Sequence, residues 1–380
     1  MPERSIIEAA ARLRRRREPC LVATVVNVRG SAYRRPGARM LLTQFRWIAG
    51  SVSGGCLEGD ISHKGWWRTR EGEPVVVTYD SQLPDAPDDD DVRAAFGLGC
   101  DGVVEVMLER AGTPGRLDPL ELAQQCLARQ QRAAVATVFR SPLPGVPVAA
   151  RLALRAGDAE PTGDTIAIPA LRAEILGELR AAIETGDSRS RAIGDVEVFV
   201  EAIVPPPRLF VFGAGHDAVP VTELARSVGW EVVVCASKPR IATRERFAGR
   251  ADEVVVGPPE ELAARIDACD RAAAIVMGHQ YELDREHVGM LLASSARYIG
   301  VLGPRARTAR MLGELGAPLD DPRIHAPLGL ELGAETPQEI ALAAIAEIQA
   351  VLRHAPGTRL RDRIGPIHDR PTQPLRPVAA

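Results

Sequence analysis

The feature that most constrains the fold is a strand–turn–helix pattern in the second half of the 380-residue chain. An apolar strand predicted at 208–212 runs into the turn Gly213-Ala214-Gly215-His216-Asp217-Ala218, and an amphipathic helix follows. Glycines at these positions let a turn approach a ligand closely, as in dinucleotide-binding βαβ units. Further apolar strands alternate with helical segments downstream, at 231–236, 253–256, 272–278 and 298–302. The pattern predicts a Rossmann-like, doubly wound parallel sheet.

The turn itself suggests a ligand but does not fix which one. Gly213, Gly215 and His216 are candidates for contacts to a dinucleotide such as NAD(P). A dinucleotide site usually carries an acidic residue at the end of its second strand, where this chain has Ala236. Basic residues follow at 238 and 240 and favour a phosphate-bearing cofactor such as NADP. A Rossmann-like scaffold that no longer binds a dinucleotide is the alternative.

A second glycine-rich segment, residues 50–60, has the sequence GSVSGGCLEGD. It lies between a β-type run at 45–49 and a helical run at 57–70. Serine hydroxyls and the free N–H groups of a first helical turn suit an anion, and the helix dipole favours a thiolate at Cys56. The alternative is a tight turn around a buried cysteine. The candidate ligand-binding residues of this segment are Ser51, Ser53, Gly54, Gly55, Cys56 and Glu58.

Residues 96–102 form a second loop of the same type, with glycines around one cysteine. Gly99 and Cys100 are its candidate ligand-binding residues. The two loops either face each other across one site or are unrelated tight turns. A third loop at 30–37 carries Arg34 and Arg35, which the sequence favours as solvated residues rather than ligand contacts.

Composition excludes several classes of function. Lys and Arg total 47 against 50 for Asp and Glu, and aromatic residues make up 4%. A general nucleic-acid-binding protein would show a basic excess or aromatic stacking platforms, so no nucleic-acid partner is expected. The six cysteines are far apart, which does not match a disulfide framework or a zinc knuckle. No apolar run approaches the length of a membrane span, and a cytoplasmic location is expected.

Three prolines at 205–207 mark the best domain boundary, because proline cannot continue a helix or join a central strand. The predicted organisation is an N-terminal α/β domain at 1–204 with the glycine–cysteine loops, and a Rossmann-like domain at 205–355. The remainder, 356–380, is rich in proline and charge and is expected to be disordered.

Several motifs in order resemble the XdhC/CoxI family, which contains accessory proteins of molybdenum hydroxylases such as xanthine dehydrogenase. The resemblance covers most of 20–354 and rests on GSVSGGCLEGD, GLGCDG, VFGAGHDA, VMGHQYELD, YIGVLG and APLGLELGAETPQEIALAAIAEI.

The resemblance implies a chaperone that binds the molybdenum cofactor (molybdopterin), supports its sulfuration and delivers it to an apo molybdenum hydroxylase. It also implies Cys56 as a ligand of the cofactor's metal, a cysteine desulfurase as sulfur donor, and a homodimer.

The leading hypothesis from the sequence is therefore a cofactor carrier without its own catalytic turnover. The alternative from a different class is an NAD(P)-dependent oxidoreductase that uses the Rossmann half, with His216 or His279 as general acid. A third hypothesis overlaps with the first and has Cys56 carry a persulfide.

Overall fold

The computed structural model describes residues 3–30, 33–80, 93–95, 102–163, 166–236, 241–257 and 259–364. These residues form two compact units, and the division falls between Pro205 and Pro206. Proline fixes its own φ and lacks an N–H group, so the run of prolines ends one unit and starts the next without joining a sheet. Each unit has its own apolar core.

The first unit is built from two mostly antiparallel sheets and the helices that cover them. Its elements in chain order are α1 (Arg4–Arg16), β1 (Leu21–Gly30), β2 (Arg39–Leu42), β3 (Trp47–Gly50), α2 (Glu58–Arg68), β4 (Val75–Asp80), β5 (Arg93–Ala95), β6 (Gly102–Arg110), α3 (Pro119–Ala128), β7 (Ala133–Arg140), β8 (Arg151–Arg155), α4 (Pro169–Thr185), β9 (Arg189–Ile193) and β10 (Val196–Ile203). Within the described residues the sheet orders are β3-β2-β1-β6-β4-β5 and β8-β7-β10-β9.

The central strand β1 explains the long apolar run near the start of the chain. Its first six residues are all buried. Leu21 packs into a cluster with Ile61 of α2, whereas Val22 packs into another with Ile7 of α1. Successive side chains of a strand point to opposite faces, so a strand covered on both faces is apolar throughout. Each aliphatic side chain buried in this way stabilises the fold by about 1.5–3 kcal/mol.

A buried ion pair joins the two sheets of the first unit. Arg39 of β2 donates two hydrogen bonds of 2.6 Å to the carboxylate of Glu201 on β10. The side chains of Arg39 and Glu201 are only 4% and 1% exposed. The same guanidinium donates to the carbonyl oxygen of Gly37 at 3.3 Å. Since an unpaired buried charge is costly, this pair fixes the separation of the sheets and the end of the loop that enters β2.

The second unit is a parallel sheet with helices between its strands, as the alternating pattern predicted. Its elements are β11 (Arg208–Phe212), α5 (Ala218–Ser227), β12 (Glu231–Ala236), α6 (Ile241–Arg246), β13 (Glu253–Val256), α7 (Pro259–Asp267), β14 (Ala272–Val276), α8 (Tyr281–Ala293), β15 (Tyr298–Val301), α9 (Arg305–Glu314), β16 (Ile324–His325) and α10 (Pro337–Leu352). The strand order is β13-β12-β11-β14-β15-β16, and every pairing among these strands is parallel. The chain reverses its direction of winding at β11, which confirms the doubly wound fold.

Element ends differ from the predicted ones by a few residues around the first glycine-rich segment. The strand predicted at 45–49 is β3, Trp47–Gly50, and the helix predicted at 57–70 is α2, Glu58–Arg68. Residues 45 and 46 belong to the hairpin turn before β3, so the strand begins later than predicted. It ends at Gly50, the first glycine of the loop.

The last part of the described chain lies beyond α10. It contains a short 3-10 helix at Leu360–Asp362 and is exposed to solvent from residue 353 to 364. Residues 365–380, on which most of the predicted disorder falls, lie outside the described residues. Among the helices of the described ranges, none combines the length and apolar character needed to cross a membrane.

Candidate functional site

The loop from Gly50 to Asp60, called here the site loop, starts at a position that only glycine can occupy. Gly50 ends β3 with a φ of +74°, which side-chain-bearing residues rarely adopt. A Cβ atom there would collide with the carbonyl oxygen of Arg39 and with the side chain of Ile6. Because β2 and α1 press on this residue from two sides, the point at which the chain leaves the sheet is fixed.

Glu58, the first residue of α2, organises the site loop from within. Its Oε1 accepts hydrogen bonds from the hydroxyl of Ser51 at 2.7 Å and from the N–H groups of Val52 at 3.0 Å and Ser53 at 2.8 Å. Its Oε2 accepts one from the Ser53 hydroxyl. The side chain is buried. Burial on its own would raise the pKa of Glu58, but the serine hydrogen bonds outweigh it and the pKa lies below its usual value.

The serine hydroxyls that the sequence offered to a ligand are therefore engaged inside the loop. Ser53 Oγ also accepts hydrogen bonds from the N–H groups of Gly55 and Leu57, each at 3.1 Å. Within the described part of the chain, the N–H groups of Gly54 and Cys56 form no hydrogen bond. Gly55 has a φ of +123°, and no atom lies within 4 Å of where its Cβ would be. The hydrogen-bond donors left for a ligand are thus the backbone N–H groups of Gly54 and Cys56, on either side of the open space at Gly55.

Cys56 is the accessible thiol of the described chain. It lies one residue before Leu57, the N-cap of α2, and is exposed. The other described cysteines are Cys20, Cys126, Cys235 and Cys269, and all are buried. Burial raises the pKa of the Cys20 thiol to about 11, which suits a packed and unreactive sulfur. Among the described cysteines, only Cys56 can meet a ligand from solvent.

An aromatic residue that the sequence did not single out borders the site loop. The ring of Tyr33 lies beside Gly54, and a Cβ at Gly54 would be 3.7 Å from its Cγ and Cδ2 atoms. Tyr33 is 70% exposed. Arg34 and Arg35 follow it and are exposed, and Arg34 pairs with Glu3 at 3.2 Å. A lone tyrosine in a polar loop carries no sequence signal, which is why this neighbour was missed.

Most of the second predicted loop, including Gly99 and Cys100, lies outside the described residues. Its last residue, Gly102, starts β6 and pairs with Gly30 at the end of β1. Gly30 leads into the segment that carries Tyr33. The chain therefore enters β6 beside the strand end that leads to the segment carrying Tyr33, and the proximity of Cys56 to Cys100 stays a prediction.

The turn after β11 in the second unit has the close approach that its glycines predicted. Gly213 has a φ of +141°, and a Cβ there would be 2.5 Å from the carbonyl oxygen of Met277. Gly215 follows in the same turn, and His216 is exposed. Arg246 of α6 donates a hydrogen bond to the carbonyl oxygen of Ala214. The turn is thus held against β14 and α6.

A carboxylate at this turn disfavours the binding of a dinucleotide. Asp217 is the N-cap of α5, and its carboxylate is bound to His279 Nε2 at 2.7 Å. In dinucleotide sites the pyrophosphate lies at this helix N-terminus, so a carboxylate there repels it. β12 ends at Ala236 without an acidic residue for ribose, and the basic positions 238 and 240 lie outside the described residues.

Within the described residues there is no group of three or more His, Cys, Asp or Glu side chains that could hold a metal ion.

Two family models match the chain. The model described as the XdhC and CoxI family matches residues 13–80, and the model described as the XdhC Rossmann domain matches residues 209–348. The chain belongs to the XdhC and CoxI family. The site loop lies inside the first match and the turn after β11 inside the second, so the resemblance drawn from the motifs is confirmed.

Proteins similar to this XdhC and CoxI family member include two that cover most of its length and one that covers less than half. A Bacillus subtilis (strain 168) protein, whose name describes it as one subunit of a probable xanthine dehydrogenase, is 29% identical over 346 residues, which are 87% of this chain and 92% of that protein. The uncharacterized protein YqeB of Escherichia coli (strain K12) is 31% identical over 169 residues, 43% of this chain and 31% of that protein. A crystal structure of a Bacillus halodurans protein described as a xanthine dehydrogenase has a TM-score of 0.71 and 27% identity, covering 92% of this chain and 96% of that one.

Proposed function

We propose that this chain is an accessory protein of a xanthine dehydrogenase-type molybdenum hydroxylase that carries the molybdenum cofactor to its client. Membership of the XdhC and CoxI family supports this proposal, as do relatives whose names refer to xanthine dehydrogenase. The observation that carries it is the exposed Cys56 thiol in a loop with free backbone N–H groups. The carboxylate of Glu58 holds this loop in place through hydrogen bonds.

The residues of the site loop fit such a ligand in two respects. The Cys56 sulfur is a soft ligand, which suits molybdenum and labile sulfur. The free N–H groups of Gly54 and Cys56 suit an oxygen of the ligand, and the open space over Gly55 leaves room for its bulk. The serine hydroxyls do not contribute, because they are bound to Glu58.

In this proposal the residues of the chain have distinct tasks. Cys56 holds the metal or its sulfur, Gly54 and Gly55 keep the backbone open to the ligand, and Ser51, Ser53 and Glu58 shape the loop without touching the ligand. When bound, the cofactor supplies the molybdenum centre on which the client depends. Protection during sulfuration, a cysteine desulfurase as sulfur donor, the homodimer and a cytoplasmic location remain parts of the proposal.

Cofactor retention and transfer test the proposal directly. Wild-type, Cys56→Ala and Cys235→Ala proteins are purified anaerobically from a cofactor-producing host, and bound molybdopterin is measured as its fluorescent oxidation product. Cys235 is buried in β12 and serves as the matched cysteine control. We expect pterin in the wild type and in Cys235→Ala, transfer to cofactor-free hydroxylase, and loss of both with Cys56→Ala. Equal pterin in all three proteins would refute the role of Cys56, and none in the wild type would refute the carrier.

A persulfide on Cys56 is a separable form of the same proposal. Mass spectrometry after incubation with a sulfur donor would show one added sulfur on the Cys56 peptide. An unmodified thiol would leave Cys56 as a metal ligand only.

The second candidate is an NAD(P)-dependent oxidoreductase, which the close approach of Gly213 to β14 favours. Asp217 at the helix N-terminus counts against it. Titration with NADH and NADPH decides the matter, since absence of binding at millimolar ligand would eliminate it.

A further inference from the structure

We propose that Tyr33 is the stacking platform for the flat pyrimidine ring of the pterin in the ligand held at Cys56. This inference rests on the proposed function and adds a recognition element to it. The family matches cover Tyr33 but assign no role to it. The proposal stands on the position of the ring, on its exposure and on the way its loop is anchored.

The ring of Tyr33 is close to the site loop and is nevertheless exposed to solvent. A Cβ built on Gly54 would be 3.7 Å from two atoms of the ring, which is an ordinary contact distance. The ring is 70% exposed, although aromatic side chains are normally buried for their large apolar area. An aromatic ring that rests on backbone and remains exposed offers a flat apolar surface beside the donors of Gly54 and Cys56.

No other large exposed aromatic side chain of the described residues comes within 4 Å of where a Cβ of Gly54 would be. The others are Phe45, Trp47 and Trp67. Trp47 donates from its indole nitrogen to the carbonyl oxygen of Gly50 at 2.7 Å, at the start of the site loop. Phe45 belongs to the hairpin turn before β3, and Trp67 lies near the end of α2. Tyr33 is therefore the ring placed against Gly54, two residues before Cys56 in the site loop.

The segment carrying Tyr33 has a fixed base, which a recognition surface needs. Gly37 has a φ of +96° and donates from its N–H to the carbonyl oxygen of Val25 at 2.7 Å. Its own carbonyl oxygen accepts from Arg39, which is held by Glu201 of the second sheet. A platform anchored through a buried ion pair loses less entropy on binding than a free loop would.

Planar heterocycles gain affinity from such a platform because offset stacking brings their π-systems into contact. Stacking on an aromatic side chain tolerates differences in ring substituents, so the platform selects for flatness. Flatness distinguishes a pterin from a free metal ion or an isolated sulfur donor, which Cys56 on its own would also accept.

Fluorescence titration with pterin-6-carboxylate, a metal-free planar probe, tests the stack in the full-length protein. The variants are Tyr33→Phe, which keeps the ring, Tyr33→Ala, which removes it, and Phe45→Ala as a matched removal of an exposed ring away from Gly54. We expect the wild type, Tyr33→Phe and Phe45→Ala to bind the probe with equal affinity, measured by quenching of the probe's fluorescence. Tyr33→Ala should bind it about tenfold more weakly.

Other results would refute the platform and would be distinguishable from failure of the carrier proposal. Equal affinity of Tyr33→Ala and wild type would refute the stack, and so would a wild type that fails to bind the probe at millimolar concentration. In either case the carrier proposal survives if purified wild type retains molybdopterin and Cys56→Ala does not. If the wild type retains none, the carrier fails and the platform fails with it.

Discussion

Replacing Glu58 by glutamine removes the charge at the centre of the site loop and keeps the size of the side chain. In the wild type one carboxylate oxygen accepts three hydrogen bonds, and the other accepts the hydroxyl of Ser53. A glutamine can place its oxygen on the first three donors, but its NH₂ group then faces Ser53 Oγ. That oxygen already accepts from the N–H groups of Gly55 and Leu57, so neither Ser53 nor the new amide finds a partner.

The magnitude follows from this mismatch. A hydrogen bond to a charged group contributes about 1.5–3 kcal/mol, and a neutral one contributes about 1 kcal/mol. One bond to Glu58 is lost and three become neutral. The lost bond removes about 1.5 kcal/mol or more, and each bond that becomes neutral loses about 0.5 kcal/mol or more, so we expect the free energy of unfolding of the first unit to fall by at least about 3 kcal/mol.

Urea denaturation followed by tryptophan fluorescence measures this change. Three of the four tryptophans, Trp47, Trp66 and Trp67, belong to the first unit, so the signal reports mainly on it. Glu331→Gln is the matched control, because Glu331 is an exposed glutamate of the second unit. A Glu58→Gln protein within about 0.5 kcal/mol of the wild type would refute the conclusion that this carboxylate organises the loop.

Other predictions concern the backbone and the buried charges of the first unit. Gly55→Ala should destabilise it by about 1–3 kcal/mol because of the positive φ, whereas Gly54→Ala should change it by less than about 0.5 kcal/mol; urea denaturation of both compares them. Glu201→Ala should cost about 3–5 kcal/mol because it leaves the buried charge of Arg39 without its carboxylate, and a thermal melt measures the loss. Burial would raise the pKa values of Glu58 and Glu201, but hydrogen bonds and Arg39 hold both below the usual value. The two carboxylates therefore contribute fully to stability above about pH 4.3, and this contribution is lost as the pH falls through their folded-state pKa values. Thermal melts at a series of pH values measure the loss. A melting temperature that does not change from about pH 6 to pH 3 would contradict the prediction.

The parallel sheet was predictable from the sequence because its signal is local and repeated. Each βα unit places an apolar run before a turn, and the glycines of the turn after β11 follow their strand directly in the sequence. The capping box at Thr336 and Glu339, which starts α10, is also local, and both of its hydrogen bonds are present. Local signals of this kind need no knowledge of distant partners.

The interior of the site loop was not predictable in the same way. The pattern indicated Ser51 and Ser53 as donors for a ligand, and only the fold shows that Glu58 takes them. The side chain of a residue at the start of a helix can turn back onto the loop or out to solvent, and sequence spacing does not distinguish the two. Tyr33 was missed for a related reason, because its contact with Gly54 links two segments, separated along the chain, through the pairing of β1, β2 and β3.

Both units place a turn between a strand and a helix, and in both an acidic residue lies at the start of that helix. The difference is what the carboxylate does. Glu58 is buried, and four hydrogen bonds within the loop satisfy it, whereas Asp217 reaches across to His279 with one. Hydrogen bonds to the charged form stabilise it where it is, so the charge of Glu58 is stabilised inside the loop, where its four donors do not include the backbone N–H groups of Gly54 and Cys56. Asp217 instead occupies the anion position of its own turn, and the family's glycine fingerprint is retained there without the electrostatics that a pyrophosphate requires. The ligand chemistry of this chain is therefore expected at the site loop of the first unit rather than at the Rossmann turn.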